Sequence, residues 1–387
     1  MSTKKLGFGT MRLPLTDKEN PASIDIEQFK KMADLFMERG FTYFDTAYPY
    51  HQEHSEEAVK EAVVKRFPRD SFILADKMPI LRVTKPEDYQ FFFDDQLRRC
   101  GVDHFDYYLL HNLGRDRYIN TEKFGGFGFI EKLKKAGYVR NIGFSFHDDA
   151  ETLDRILTDH PEVDFVQLQI NYLDWDSIAI QSGPCYETAK KHGKKVMVME
   201  PIKGGALVKL PEAAQKKFDD FYKPMNDPML TPASLAIRYA ASLDNVQIVL
   251  SGMSNLAQLN NNTCYMQDFK PLSEEEYKLV DEITRILNNT GTIQCTSCRY
   301  CTEVCPKNIN IPEYFGLFNM HVVTGNKSNM YYERFSMNHG KASDCIKCGL
   351  CEKNCPQHIN IRDRLVDFAA LYEQQKYGVK GIENVKK

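Results

Sequence analysis

Two cysteine runs near the C-terminus, Cys295-Cys298-Cys301-Cys305-Pro306 and Cys345-Cys348-Cys351-Cys355-Pro356, share one C-x2-C-x2-C-x3-C-P spacing. Three thiolates at successive two-residue intervals plus a more distant fourth wrap a cubane, and in runs of this spacing the fourth cysteine completes the neighbouring cluster. This part of the chain must therefore fold so that two separated runs meet around two 4Fe–4S clusters. A zinc site would use two C-x2-C pairs, and a disulfide framework suits neither the spacing nor the density. The repeat extends past the cysteines, since Asn308-Ile309-Asn310-Ile311 answers His358-Ile359-Asn360-Ile361. The remaining cysteines, Cys100, Cys185 and Cys264, stand in helix-like surroundings and read as buried small hydrophobes.

With 387 residues the chain can hold a large core and a second module. β-rich segments at 6–10, 41–45, 72–77, 105–111, 139–145, 165–170, 196–200 and 246–250 alternate with amphipathic helical patterns such as 26–39, 55–67, 88–100 and 121–136. Alternation of this kind argues for a parallel sheet, and eight strands is the count that closes a (β/α)8 barrel. An open doubly wound sheet would carry a G-x-G-x-x-G turn after its first strand, and there is none. The polar stretch Asn288-Asn289-Thr290-Gly291 closes the last barrel helix, 273–287. The expected architecture is an α/β TIM barrel over 1–290 and an all-α cluster module over 291–387. Within the module, 311–341 is too long for a compact hairpin and reads as two helices, 312–323 and 329–337, broken at Thr324-Gly325-Asn326. The basic tail, 380–387, is expected to fray.

A net charge of -3 gives no electrostatic footprint for nucleic acid or an anionic membrane. No apolar run approaches the roughly 18 residues a membrane span needs. The start, Met1-Ser2-Thr3-Lys4-Lys5, lacks the apolar stretch of a secretory signal, so a soluble cytoplasmic protein is expected.

Chemistry in such a barrel gathers at the C-terminal ends of the strands. There the sequence places Asp45 with Tyr50 just beyond it, then Lys77 and His111. An ammonium beside a phenol favours phenolate and lowers the phenol's pKa, and the Asp45 carboxylate keeps Lys77 charged. Tyr50 could then exchange the proton on an alcohol or carbonyl oxygen while His111 donates a hydrogen bond to the same oxygen. Singly, each residue has a plainer use: Asp45 as a helix cap, Lys77 as a rim charge, Tyr48 as a rival to Tyr50. The set carries the argument. His51 and His54 read as rim residues and not as metal ligands.

The pattern resembles the aldo/keto reductases. Gly7-Phe8-Gly9-Thr10-Met11-Arg12-Leu13-Pro14, Phe44-Asp45-Thr46-Ala47 with Tyr50, Ser55-Glu56, Lys77, His111, Gly143-Phe144-Ser145, Gln167 with Asn171, and Met199-Glu200-Pro201-Ile202 carry the likeness over residues 4 to 287. The resemblance implies reversible NAD(P)H-dependent reduction of an aldehyde or ketone, a small-molecule substrate, Tyr50 as acid/base, Lys77 and Asp45 as its tuners, and His111 as orienter of the substrate oxygen. Ser145 and Gln167 would hold the nicotinamide amide. There are departures from the family pattern. Phe146 follows Ser145 where many members have Asn, and Met199 stands where many stack an aromatic ring on the nicotinamide. The adenosine-side segment, with Gly252, Ser254, Gln258 and Asn262, has no Lys or Arg to meet a 2′-phosphate. NAD(H) is therefore expected over NADP(H), with Lys203 as a further cation that could approach the cofactor.

The cysteine module resembles the helical ferredoxin modules of multi-subunit oxidoreductases. By that pattern Cys295, Cys298, Cys301 and Cys355 bind one cluster, and Cys345, Cys348, Cys351 and Cys305 the other. A 4Fe–4S cluster passes one electron whereas nicotinamide exchanges a two-electron hydride, and a flavin is the usual link. A flavin is possible here, although no motif for one is legible. Three readings stay open: a reductase exchanging electrons with a protein partner, a reductase whose clusters are structural or sense oxygen, and an electron-transfer or docking subunit on a weakened barrel.

Overall fold

The computed structural model describes residues 4–289, 291–293, 295, 297–355 and 357–373; Pro356 and the basic tail lie outside them. The chain forms two compact units. One comprises the chain up to Asp176 with Ile180–Asp281, the other Ser177–Ala179 with the chain from Glu282 onward, so the division falls inside the helix Glu274–Asn289.

In the first unit, β1 (Leu6–Gly9), β2 (Tyr43–Asp45), β3 (Ile73–Met78), β4 (Phe105–Leu113), β5 (Val139–Phe146), β6 (Phe165–Gln169), β7 (Lys195–Met199) and β8 (Val246–Gly252) close into one parallel barrel in chain order. Closure runs through Gly7↔Leu250 and Gly9↔Gly252. The eight strands are those read from the sequence.

Side-chain parity sets the site. Tyr43, Ala75, Leu109, Phe165, Met197, Ile248 and Leu250 fill the barrel as one buried cluster. Because strand side chains alternate with a period of two, two residues further along each strand lie Asp45, Lys77, His111, Gln167 and Met199, all on the inward side at the C-terminal end. Ser145 follows Gly143 in the same way. At Gly143 a Cβ would meet the Phe165 carbonyl oxygen at 2.3 Å, so only glycine lets the Phe165 ring occupy the interior.

The outward side carries the larger core. On the helix Ile26–Glu38, Phe29, Met32, Ala33 and Phe36 form one buried stripe. Phe29 and Phe36 each pack on Phe8 with ring centroids 5.5 Å apart. Asp25 starts the helix by accepting from the Gln28 N–H at 2.9 Å. The single helix expected over 121–136 is two, Arg115–Lys123 and Gly126–Lys135, because Gly125 takes a left-handed φ of 76° between them.

The second unit is helical. Ile311–Thr324, Asn329–Ser336 and Ile361–Tyr372 pack through Tyr314, stacked on Phe368 at 4.9 Å, with Tyr332 edge-on to both at 5.4 Å. Among the described residues no helix is long and apolar enough to cross a membrane.

Candidate active site and cluster sites

Lys77 Nζ donates to Asp45 Oδ1 at 2.5 Å and to the Thr46 carbonyl at 2.7 Å. It lies 4.9 Å from the centre of the Tyr50 ring, which meets the His111 ring edge-on at 5.9 Å. The four residues named from the sequence thus stand together at one end of the barrel. Tyr48 is turned into the helical layer instead: its hydroxyl donates to Asp95 Oδ2 at 3.3 Å, and its ring lies edge-on to Phe92 and beside Arg82 and Arg99.

Two backbone irregularities place these groups. Directly after Tyr50, His51, Gln52 and Glu53 all have positive φ (52°, 53° and 72°). A left-handed turn costs non-glycine residues about 1–2 kcal/mol each, and strain of this kind collects at functional loops. His51 braces the turn: Nε2 accepts from the Leu13 N–H at 3.1 Å, which leaves Nδ1 to donate to the Pro21 carbonyl at 2.8 Å. His54 Nδ1 likewise lies 2.8 Å from the Gln52 carbonyl, so both histidines serve the rim. In β4 the register with β5 shifts between Leu110 and Leu113, and Asn112 adopts φ 67° immediately after His111.

The electrostatics correct one expectation. Burial pushes the Tyr50 phenol up, and the opposing pull of Lys77 does not overcome it. Burial also pushes Asp45 up against the pull of Lys77. Lys77, which burial alone would lower, is carried up by the charges of Asp45 and Tyr50. His111 is held well below its ordinary value by burial, Lys77, His147 and Arg117. The pocket therefore presents a neutral phenol, a fixed ammonium and a neutral imidazole. That arrangement can deliver a proton to an oxygen atom and then stabilise the phenolate left behind.

A buried network behind Lys77 went unread in the sequence. Gln96 Nε2 donates to Glu56 Oε1 at 3.0 Å and to the Lys77 carbonyl at 3.1 Å, and its Oε1 accepts from Tyr108 at 2.6 Å. Arg99 closes on Glu56 Oε2. Asp76 accepts from the Lys77 N–H at 2.8 Å and hydrogen-bonds Glu56; burial first, then the Glu56 charge, raises it well above the carboxylate range. A carboxyl raised on folding contributes stability below its unfolded value, near 3.9, and loses it as pH rises toward the native value. Asp76→Asn is therefore expected to gain stability relative to the parent as pH rises from about 4 to 8. Unfolding midpoints across that range test this, and a relative loss that grows with pH would contradict it.

On the opposite side of the mouth, Ser145 and Gln167 are direct register partners across β5 and β6. Ser145 Oγ accepts from the Asn112 N–H at 2.7 Å, which leaves its own proton to donate. Gln167 is 2% exposed and its Oε1 has no partner among the described residues. An orphaned acceptor beside a hydroxyl donor fits a carboxamide such as that of nicotinamide. Met199 ends β7 half-buried. Beyond Gly252, the Ser254 N–H donates to Gln258 Oε1 at 2.8 Å, and Asn262 Nδ2 donates to Ser251 Oγ at 3.0 Å, so these side chains knit their own loop together.

Both charge expectations on this side change. Lys203 is buried and donates to Asp174 at 2.5 and 2.8 Å, with Gln169 and Asn171 on the same carboxylate, so its charge is already neutralised. An arginine from the short helix after β1 stands beside the adenosine-side segment. The Arg12 stem packs against Gly252, and Ser254 Oγ donates to the Arg12 carbonyl at 2.9 Å. Of the three remaining cysteines, Cys100 and Cys185 are buried as expected, whereas Cys264 is only half-buried.

In the second unit, Cys305, Cys345, Cys348 and Cys351 line one hollow with Lys307 and Arg362. Cys295, Cys298, Cys301 and Cys355 line another with Arg299 and Gln357. Each hollow thus takes its fourth thiol from the other run. The backbone repeats as well: positive φ recurs at Ser297/Lys347, Arg299/Gly349 and Asn308/His358. Among the described residues no three of His, Cys, Asp or Glu are set to hold a single metal ion. Four thiols around an apolar hollow fit a larger inorganic core, and the Ile309 N–H already points at Cys305 Sγ at 3.5 Å.

Residues 5–285 match the Aldo/keto reductase family, and residues 294–360 match a 4Fe-4S dicluster domain. An aldo-keto reductase of Mycolicibacterium vanbaalenii is 28% identical over 261 residues, covering 64% of this chain and 82% of that protein. The 9,11-endoperoxide prostaglandin H2 reductase of Trypanosoma cruzi is 25% identical over 251 residues, covering 64% and 79%. Among solved structures, an aldo-keto reductase from Klebsiella pneumoniae in complex with NADPH superposes with a TM-score of 0.58 at 20% identity, covering 73% of this chain and 96% of that one. A holo-form aldo-keto reductase from Bacillus halodurans superposes with a TM-score of 0.54 at 24% identity, covering 72% and 91%. At these identities the two structures bear on the fold alone.

Proposed function

Since the chain belongs to the aldo/keto reductase family and carries a 4Fe-4S dicluster domain, we propose that it interconverts an aldehyde or ketone and its alcohol with a nicotinamide dinucleotide, and that its cluster module exchanges electrons with a protein partner. The observation that carries the barrel reading is the gathering of Asp45, Lys77, Tyr50 and His111 at the mouth.

In carbonyl reduction the Tyr50 phenol gives its proton to the substrate oxygen. Lys77, held charged by Asp45, stabilises the phenolate that remains. The neutral His111 ring donates a hydrogen bond to the same oxygen and fixes its direction. Ser145 Oγ and Gln167 Oε1 would hold the carboxamide; when bound, the dinucleotide supplies or accepts the hydride. The eight cysteines would hold two clusters in the crossed sets that line the hollows. The expected preference for NAD(H) is not retained. It rested on the lack of a Lys or Arg beside Gly252, and the Arg12 stem packs there.

Fluorescence titration of NADH and NADPH into anaerobically purified protein tests the cofactor assignment. Gln167→Leu is expected to weaken the tighter of the two by about tenfold, the worth of one buried hydrogen bond, with cluster absorbance unchanged. Equal affinity in the variant would remove Gln167 from the cofactor site.

A further inference from the structure

The two cluster sites are built on one repeat, yet they differ in charge. Lys347, between Cys345 and Cys348, occupies the place of Ser297, between Cys295 and Cys298. Lys307 lines the hollow of Cys305, Cys345, Cys348 and Cys351 where its repeat equivalent, Gln357, lines the other. Each hollow also has one arginine, and in both cases it is neutralised: Arg299 by Glu313, and Arg362 by Glu352 at 2.7 Å. Lys307 and Lys347 are exposed and make no ion pair among the described residues. One site thus has lysines at the two repeat positions where its twin has Ser297 and Gln357.

The same face is apolar at its middle. Ile346 lines this hollow and is 58% exposed; Leu350, beside Gly349, is 44% exposed; Cys348 is exposed between them. Val366, one helical turn beyond Arg362, is 52% exposed. An apolar centre with a cationic rim is the composition of a protein-docking surface, and unpaired lysines steer an oppositely charged partner toward it.

We propose that the face over Cys348, framed by Ile346, Lys347 and Lys307, docks an acidic protein that carries a one-electron centre, and that this site, not its twin, is where electrons enter or leave the module. The inference rests on the reading that the module exchanges electrons with a partner. At the docked face one electron crosses to the carrier, which is reduced by one as the chain is oxidised by one; no bond breaks and no proton has to move.

The test uses the full chain with both clusters loaded. A small acidic plant-type 2Fe–2S ferredoxin serves as the probe and a basic cytochrome c as its counterpart. Affinity is read by biolayer interferometry and electron exchange by anaerobic stopped flow. Ferredoxin affinity should fall about tenfold between about 20 and 300 mM salt as screening shortens. The double variant Lys307→Gln/Lys347→Ser, which carries the twin site's residues, should bind about tenfold more weakly at low salt and like the parent at high salt. Gln357→Glu at the twin site should change nothing. Iron content and visible absorbance of each variant verify that the clusters are intact. Parent-like binding by the double variant at low salt, or faster exchange with cytochrome c than with ferredoxin, overturns the docking proposal while leaving the electron-transfer reading standing. Exchange with neither carrier overturns both.

Discussion

Tyr50→Phe is expected to lose about 10²–10⁴-fold of carbonyl reduction, the usual worth of a positioned general acid, while the chain stays folded and still takes up nicotinamide. The substitution removes one oxygen; the ring that faces Lys77 and His111 is retained. Tyr48→Phe is the matched comparison. It deletes a hydroxyl bonded to Asp95, which costs stability of about 1 kcal/mol and little rate. A second readout follows from the raised Tyr50 phenol. The acid is already protonated at neutral pH, so kcat/KM for carbonyl reduction should be flat from about pH 6 upward and fall only as the phenol ionises, above its ordinary value near 10. His111, held well below its usual range, should add no inflection near 6.5. Alcohol oxidation needs the phenolate and should climb with pH. Rate profiles measured in both directions decide the matter, and a larger loss in Tyr48→Phe than in Tyr50→Phe would reassign the acid.

The second large effect is crossed. Cys305→Ala should damage the site of Cys345, Cys348 and Cys351 and spare the one formed mainly by its own run, and Cys355→Ala should do the reverse, because each hollow is lined by three thiols of one run and the fourth of the other. Iron and sulfide should fall to roughly half in each variant. The two variants should lose different components of the reduced EPR spectrum, so that the spectrum left in one is the spectrum missing from the other. Full retention of both clusters in Cys305→Ala, or loss of the same component in both variants, would contradict the crossing.

Much of this was legible because strand periodicity is a strict rule. Once 41–45 and 72–77 read as barrel strands, their C-terminal ends put Asp45 and Lys77 at the mouth, and alternation then explains why both share a face with Tyr43 and Ala75. Tyr50 needed more than periodicity, since it stands beyond β2 just before a left-handed turn with no glycine in it, and only its place after Asp45 in the family pattern favoured it over Tyr48. The errors share a cause. Whether Lys77 or burial governs the Tyr50 phenol, whether Lys203 is a free cation, and whether Arg12 reaches Gly252 all depend on distances between residues far apart in the chain. Gln96 gave no signal because its role is to bridge two elements, the Lys77 carbonyl and Glu56. The break at Gly125 was signalled by the glycine but masked by a helical pattern on both sides.

The exchange of fourth cysteines between the runs also bears on how the protein is made. The hollow lined by Cys295, Cys298 and Cys301 lacks a wall until Cys355 has been synthesised, by which point the barrel sequence has long since left the ribosome. Completion of either cluster site would thereby wait for the second run, and a chain truncated anywhere between the runs could complete neither.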